Sequence, residues 1–158
     1  MIRHAPATEE ERAAFFPTIV QLLGDDEEDA LAHLGMSREE LEAAYQEIGE
    51  VRTVREGDVS VGTVWVELRD RELHIHGIVV DAEQRGRGIG TAILRGLESE
   101  FAGRIDVMEL GVRLSNQEAR RLYAREGFRD ACVSTAPGFV VLRKRLHRAS
   151  GGAADEEG

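Results

Sequence analysis

Residues 80–91 read Val-Asp-Ala-Glu-Gln-Arg-Gly-Arg-Gly-Ile-Gly-Thr, a strand end that passes through three alternating glycines directly into a helix. This junction constrains the chain more than any other segment. The first turn of a helix leaves backbone N–H groups without partners, and the helix dipole adds partial positive charge where they converge. Glycines at 86, 88 and 90 allow a ligand to approach that backbone with no Cβ in the way. Arg85 and Arg87 add positive charge inside a chain whose formal net charge is −10. The segment therefore predicts an anion site at a helix N-terminus.

Two common phosphate loops are excluded. No Gly-Lys-Ser or Gly-Lys-Thr follows, so the lysine and metal-binding hydroxyl of an ATPase loop are missing. Gly86-x-Gly88 continues as Ile89-Gly90, which breaks the Gly-x-Gly-x-x-Gly spacing of a dinucleotide loop. A tight turn with no ligand is the bland alternative.

Around this junction the hydrophobic period changes. Ile2 to Ala5 can form a short first strand, and the rest of the first 49 residues read as helical. Thr8 precedes an acidic first turn, and a helix is expected through Leu23, kinked or split at Pro17. Residues 24–29 form an acidic break, a helical stretch runs to Leu34, and Ser37 with Glu40 has capping-box spacing for a further helix. From Glu50 the period becomes two. Strands are predicted at 51–56, 59–69 and 72–81, joined by Gly57-Asp58 and Asp70-Arg71 into an antiparallel meander. Ile89, Ile93, Leu97 and Phe101 repeat every four residues, the stripe of a core-facing helix. A strand at 105–112, a helix from Asn116 to Glu126 capped by Ser115, and strands at 128–135 and 139–146 complete the pattern. Hairpins followed by strand–helix alternation predict one α/β domain over residues 1–147, with a mixed, mostly antiparallel sheet flanked by helices. Residues 148–158 are polar and glycine-rich, and disorder is expected there.

Arg85-x-x-Gly88-x-Gly90, in its strand and helix context, resembles the acyl-CoA pyrophosphate loop of the GNAT (GCN5-related N-acetyltransferase) superfamily. Asn116-x-x-Ala119-x-x-x-Tyr123-x-x-x-Gly127-Phe128 is similar to a second segment of that superfamily, at the expected distance downstream. The resemblance implies acetyl-CoA as co-substrate. Backbone from Arg85, Gly86, Arg87, Gly88, Ile89 and Gly90 to Thr91 would hold its pyrophosphate. Asn116 would contact the cofactor, Tyr123 would also touch it and act as general acid on the departing thiolate, and backbone at Ile78, Val79 and Val80 would serve the oxyanion. It further implies that the strand before the loop and the strand at 105–112 lie side by side and then splay, so that pantetheine adds to the sheet edge. Homodimers are common among such proteins.

His74 and His76 are two apart on a predicted strand and should share a face with Ile78 and Val80, opposite Leu73, Ile75, Gly77 and Val79. An amine of pKa about 10 is protonated at neutral pH and cannot attack a thioester until a base takes its proton. Histidine suits that task. The His-x-His strand resembles that of the arylalkylamine N-acetyltransferases, which implies that one of the two relays the proton. Sequence does not choose between them. Glu67, Glu72 and Glu109 are reserve bases. A metal site is disfavoured because no third ligand is visibly placed beside the two histidines.

The composition narrows the partners. A net charge of −10 argues against nucleic acid. No apolar run approaches the roughly 18 residues of a membrane span, and the N-terminus lacks a signal-peptide core, so a cytoplasmic address is expected. Cys132 is the only cysteine and reads as a small buried hydrophobe near a strand, with no disulfide or catalytic role. The expected acceptor is a small primary amine. A peptide or protein N-terminus, and a non-catalytic acyl-CoA sensor that would keep the loop but not need His74, His76 or Tyr123, are the alternatives.

Overall fold

The computed structural model describes residues 2–146. The tail at 148–158 and the last residue of the expected domain lie outside the described residues. Along the chain come β1 (Ile2–Pro6), α1 (Glu9–Leu23), α2 (Glu27–Leu34), α3 (Arg38–Glu47), β2 (Glu50–Glu56), β3 (Val59–Arg69) and β4 (Glu72–Val80). A 3-10 turn (Ala82–Gln84) leads to α4 (Ile89–Glu100), β5 (Val107–Arg113), α5 (Gln117–Arg125), β6 (Arg129–Asp130) and β7 (Phe139–Arg145).

The strands form one sheet in the order β1-β2-β3-β4-β5-β7-β6. Among the described residues only the β4–β5 pair is parallel. That pairing covers Glu72 to Ile75 of β4 against Val107 to Leu110 of β5 and then stops. Beyond Ile75, β4 remains paired to β3 as far as Val80, while β5 remains paired to β7. The two central strands therefore splay, and the β5-facing edge of β4 from His76 to Val80 is left open.

Each sheet face carries its own core. The α4 stripe is realised in full, with Ile89, Ile93, Leu97 and Phe101 all buried among Val64, Val66, Leu73, Ile75 and Tyr123. Each such side chain contributes roughly 1.5–3 kcal/mol. On the opposite face, Phe15 and Ile19 of α1 and Tyr45 of α3 pack on Val51 and Trp65. Trp65 is anchored by donating Nε1–H to the Ile48 carbonyl at 2.7 Å.

Three local expectations are corrected. Pro17 does not split α1, which runs unbroken from a complete Thr8–Glu11 capping box. The cap of α5 is Asn116 rather than Ser115; its side chain accepts from the Ala119 N–H at 3.2 Å, and the helix begins at Gln117. The strand expected at 128–135 shrinks to Arg129–Asp130. There Cys132 adopts a left-handed φ of 57° and its N–H donates to Asp130 Oδ1, which turns the chain away from the sheet. Cys132 is exposed, not buried.

Candidate active site

A cleft of about 530 Å³ opens where β4, the glycine loop, α4 and α5 meet, with Thr18, Gln21 and Leu22 of α1 on its remaining side. Its floor is the end of β4, Ile78 to Val80, and its rim runs from Gln84 into the first turn of α4.

The loop is built for exposed donors. Gly86 and Gly88 have φ of 80° and 78°, the left-handed region that a side chain disfavours. Gly88 stands at the N-cap of α4 and offers no side-chain acceptor. The other helices are capped by Thr8, Asp26, Ser37 and Asn116. The first-turn amides of Ile89, Gly90 and Thr91 thus keep their hydrogen-bonding capacity, and all three residues line the cleft. A Cβ on Gly90 would stand 2.8 Å from Leu122 Cδ2, so the bare glycine also lets α5 close against α4.

The charge around the cleft opposes that of the chain. Arg85, Arg121 and Arg125 line it together with one acid, Glu118. Among the described residues none of these arginines is ion-paired; the Arg85 side chain donates Nε–H to the Val80 carbonyl. Arg87 departs from expectation. It is not among the cleft-lining residues, and its guanidinium bonds Gln84 and Glu56, so its charge is neutralised locally.

Tyr123 and Asn116 both reach the cleft, although Asn116 does so from the cap. Its Oδ1 is committed to Ala119, which leaves its side-chain N–H groups to face a ligand. Tyr123 is 8% exposed and rests its ring near Phe128, with centroids 5.8 Å apart. Its hydroxyl has no partner among the described residues, yet is not a sealed polar atom. Burial pushes the phenol up to about 12, which keeps it a neutral donor.

The histidines do not line this cleft, and their strand is irregular. Trp65 pairs with Gly77 and Val66 with Ile75, which makes His76 the extra residue of a β-bulge. His74 and His76 share a face as expected, and it is the face of Glu67 and Trp65. After the bulge, however, Gly77 joins that face, where a Cβ would meet Ile19 Cδ1 at 2.7 Å. Ile78 and Val80 therefore turn to the other side and pack with Leu73 and Ile75. The shared face predicted for His74, His76, Ile78 and Val80 is corrected by this one-residue insertion.

Their surroundings differ. His74 lies between carboxylates, with Nδ1 3.0 Å from Glu109 and Nε2 3.3 Å from Glu72. Arg143 bonds both of those glutamates. Sequence found no third ligand beside the histidines, whereas the fold gathers Glu72, His74 and Glu109 with ligand atoms within 4.8 Å of one another. The guanidinium already occupying both carboxylates makes this an ion-paired cluster. His76 instead packs against Trp65, with ring centroids 4.8 Å apart and the planes tilted by 44°, and sets Nε2 2.8 Å from Glu67 Oε1. Burial pulls its pKa below 6.5, partly offset by Glu67.

Sequence reasoning missed the α1 wall and the arginines of α5. Arg121 and Arg125 lie one helical turn apart beside Leu122, a spacing that could have been read as a basic stripe facing the loop.

The chain matches the model of the Acetyltransferase (GNAT) family over residues 10–128, and it belongs to that family. It is 38% identical over 104 residues to the N-alpha-acetyltransferase RimI of Mycobacterium tuberculosis, a match covering 63% of this chain and 59% of that protein. The chain thus spans about three fifths of that relative, and its match to the mycothiol acetyltransferase of Clavibacter michiganensis covers 24% of the latter. Among solved structures, the ribosomal-protein-S18-alanine N-acetyltransferase from Escherichia coli superposes with a TM-score of 0.67 at 20% identity, covering 99% of this chain and 100% of that one. The structural likeness agrees with the open α/β sheet flanked by helices. Among the described residues no helix is long and apolar enough to cross a membrane.

Proposed function

We propose that this chain transfers an acetyl group from acetyl-CoA to a primary amine by direct attack within a ternary complex. The observation that carries the reading is the uncapped first turn of α4 at Gly88, opening on the same cleft as the Tyr123 hydroxyl. Main-chain donors from Gly86 to Thr91 hold the pyrophosphate, and Arg85 with its unpaired neighbours on α5 supplies the opposing charge. Pantetheine runs along the open edge of β4 and adds to the sheet as a short strand. That path brings the thioester from the loop towards the splay.

Chemistry at the splay requires a free amine. A β4 histidine takes one proton from the ammonium and passes it to solvent. The amine lone pair then attacks the thioester carbon, and backbone N–H groups at Ile78 to Val80 receive the developing oxyanion. As the C–S bond breaks, the Tyr123 hydroxyl hydrogen-bonds the departing sulfur, and the second amine proton ends on the thiol. Holding both reactants in one cleft supplies the remaining advantage.

The small amine is the first acceptor to test. A protein α-amine is the second, favoured by the 38%-identical relative named as an N-alpha-acetyltransferase. Thiol release from acetyl-CoA, measured against a panel of amines and N-terminal peptides, tests both. Turnover with an amine is expected; CoA binding with no release above background, and no effect of Tyr123→Phe on any step, would make the chain a sensor.

A further inference from the structure

His74 and His76 are equivalent in sequence, but the bulge separates their roles. Both ring nitrogens of His74 face carboxylates, at 3.0 and 3.3 Å. Taking a proton from a substrate there would disturb a network that also holds Arg143. His76 has one nitrogen engaged and one open. Its Nε2 meets Glu67 Oε1 at 2.8 Å, and its Nδ1 has no partner among the described residues yet is not among the sealed, unsatisfied polar atoms. The ring is 26% exposed at the side chain and is held by Trp65, which Ile48 and the Tyr45 ring anchor in turn.

Glu67 is itself fixed. Arg69 binds the same carboxylate at 2.9 Å, and together with His76 it holds the Glu67 carboxyl down at about 2. A carboxylate ionised across the neutral range has only acceptor capacity there. The imidazole nitrogen facing it must therefore carry the hydrogen, and in a neutral ring the other nitrogen then carries the lone pair.

We infer that Glu67 is a positioning residue that fixes the Nε2–H tautomer of His76 and so leaves Nδ1 as the proton acceptor for the amine. The assignment rests on the transferase reading above and selects His76 over His74. In the step, an ammonium N–H bond breaks, its proton binds Nδ1, and the amine keeps the electron pair that attacks the thioester. The imidazolium then returns that proton to solvent while Nε2–H stays on Glu67. The charged and titratable groups facing His76 are Glu67 and Arg69 from β3 and His74 from its own strand; α1 presents the uncharged Ile19 and Leu22 beside Gly77. Burial, Arg69 and His74 favour the neutral ring, and Glu67 alone among these opposes them.

The test uses the full chain with nitrogen-labelled histidine, and His76→Gln to assign the signals. Long-range proton–nitrogen correlation above pH 7 should show His76 protonated at Nε2 and bare at Nδ1; an Nδ1–H ring would overturn the proposal. The second arm is the pH dependence of kcat for wild type and Glu67→Gln, a near-isosteric change. Losing the carboxylate should move the acid limb to lower pH by about one unit or more and lower the plateau about tenfold, with CoA affinity within twofold. An acid limb at the same pH in both proteins would make Glu67 merely structural and refute the role. Should CoA fail to bind wild type, the transferase reading falls, while the tautomer measurement still decides the Glu67–His76 pairing.

Discussion

Replacing Tyr123 by Phe removes one oxygen and leaves the ring's packing on Phe128 in place, which makes the change a clean probe of thiolate departure. With the phenol pushed up to about 12 and an ordinary alkyl thiol near 8.5, full proton transfer to sulfur is uphill by roughly 5 kcal/mol. The hydroxyl can therefore stabilise the leaving group only as a hydrogen-bond donor. A bond to a charged partner is worth about 1.5–3 kcal/mol, which corresponds to a loss in kcat of roughly 10- to 150-fold. Because the hydroxyl has no protein partner among the described residues, removing it should leave the unfolding free energy within about 0.5 kcal/mol. The assay is steady-state thiol release with saturating acetyl-CoA and amine, paired with denaturant unfolding of both proteins. A kcat within twofold of wild type would refute the reasoning. So would a basic limb below about pH 10 that Tyr123→Phe abolishes, since it would mean the phenol ionises in the working range.

Two further outcomes follow from packing and charge. Gly77→Val should destabilise the fold by about 1–3 kcal/mol, because a Cβ there already stands 2.7 Å from Ile19 Cδ1 and 3.2 Å from Leu22 Cδ1; urea midpoints measure it, and an unchanged midpoint would contradict the close approach of α1 to the bulge. Glu67→Gln should be less stable than wild type at neutral pH. The folded Glu67 pKa is depressed from 4.5 to about 2, so its stabilisation is complete above 4.5 and fades as pH falls through about 2. The stability gap between the two proteins should therefore close across that interval, and a gap that stays constant in acid would count against the ion pair.

What was legible in the sequence was local. The α4 stripe, the Thr8 and Ser37 caps and the Gly57-Asp58 hairpin each state their structure within a few residues, and all appear where expected. The glycine loop was legible for the same reason, since 86, 88 and 90 fall where a strand hands over to a helix of clear period. The bulge was not. Alternation along β4 assigns faces only while pairing is regular, and nothing in Leu73-His74-Ile75-His76-Gly77 announces that β3 will skip His76. One inserted residue moved Ile78 and Val80 to the opposite side and left the histidines outside the cleft that those two residues line. The clusters around the histidines were hidden too, because Glu109 and Arg143 arrive from β5 and β7. Ser115 looked like the cap of α5 because Glu118 follows at the right spacing; Asn116 won by reaching the Ala119 N–H, the same offset one residue later.

The central claim is that main-chain donors at the start of α4 hold a diphosphate. Amide chemical shifts recorded while CoA is titrated into the nitrogen-labelled chain test it most directly. The largest shifts should fall on Gly86 to Thr91, saturate with CoA, and be reproduced in part by inorganic pyrophosphate. Saturating CoA that leaves those amides unmoved, or moves only residues remote from the loop, would contradict it.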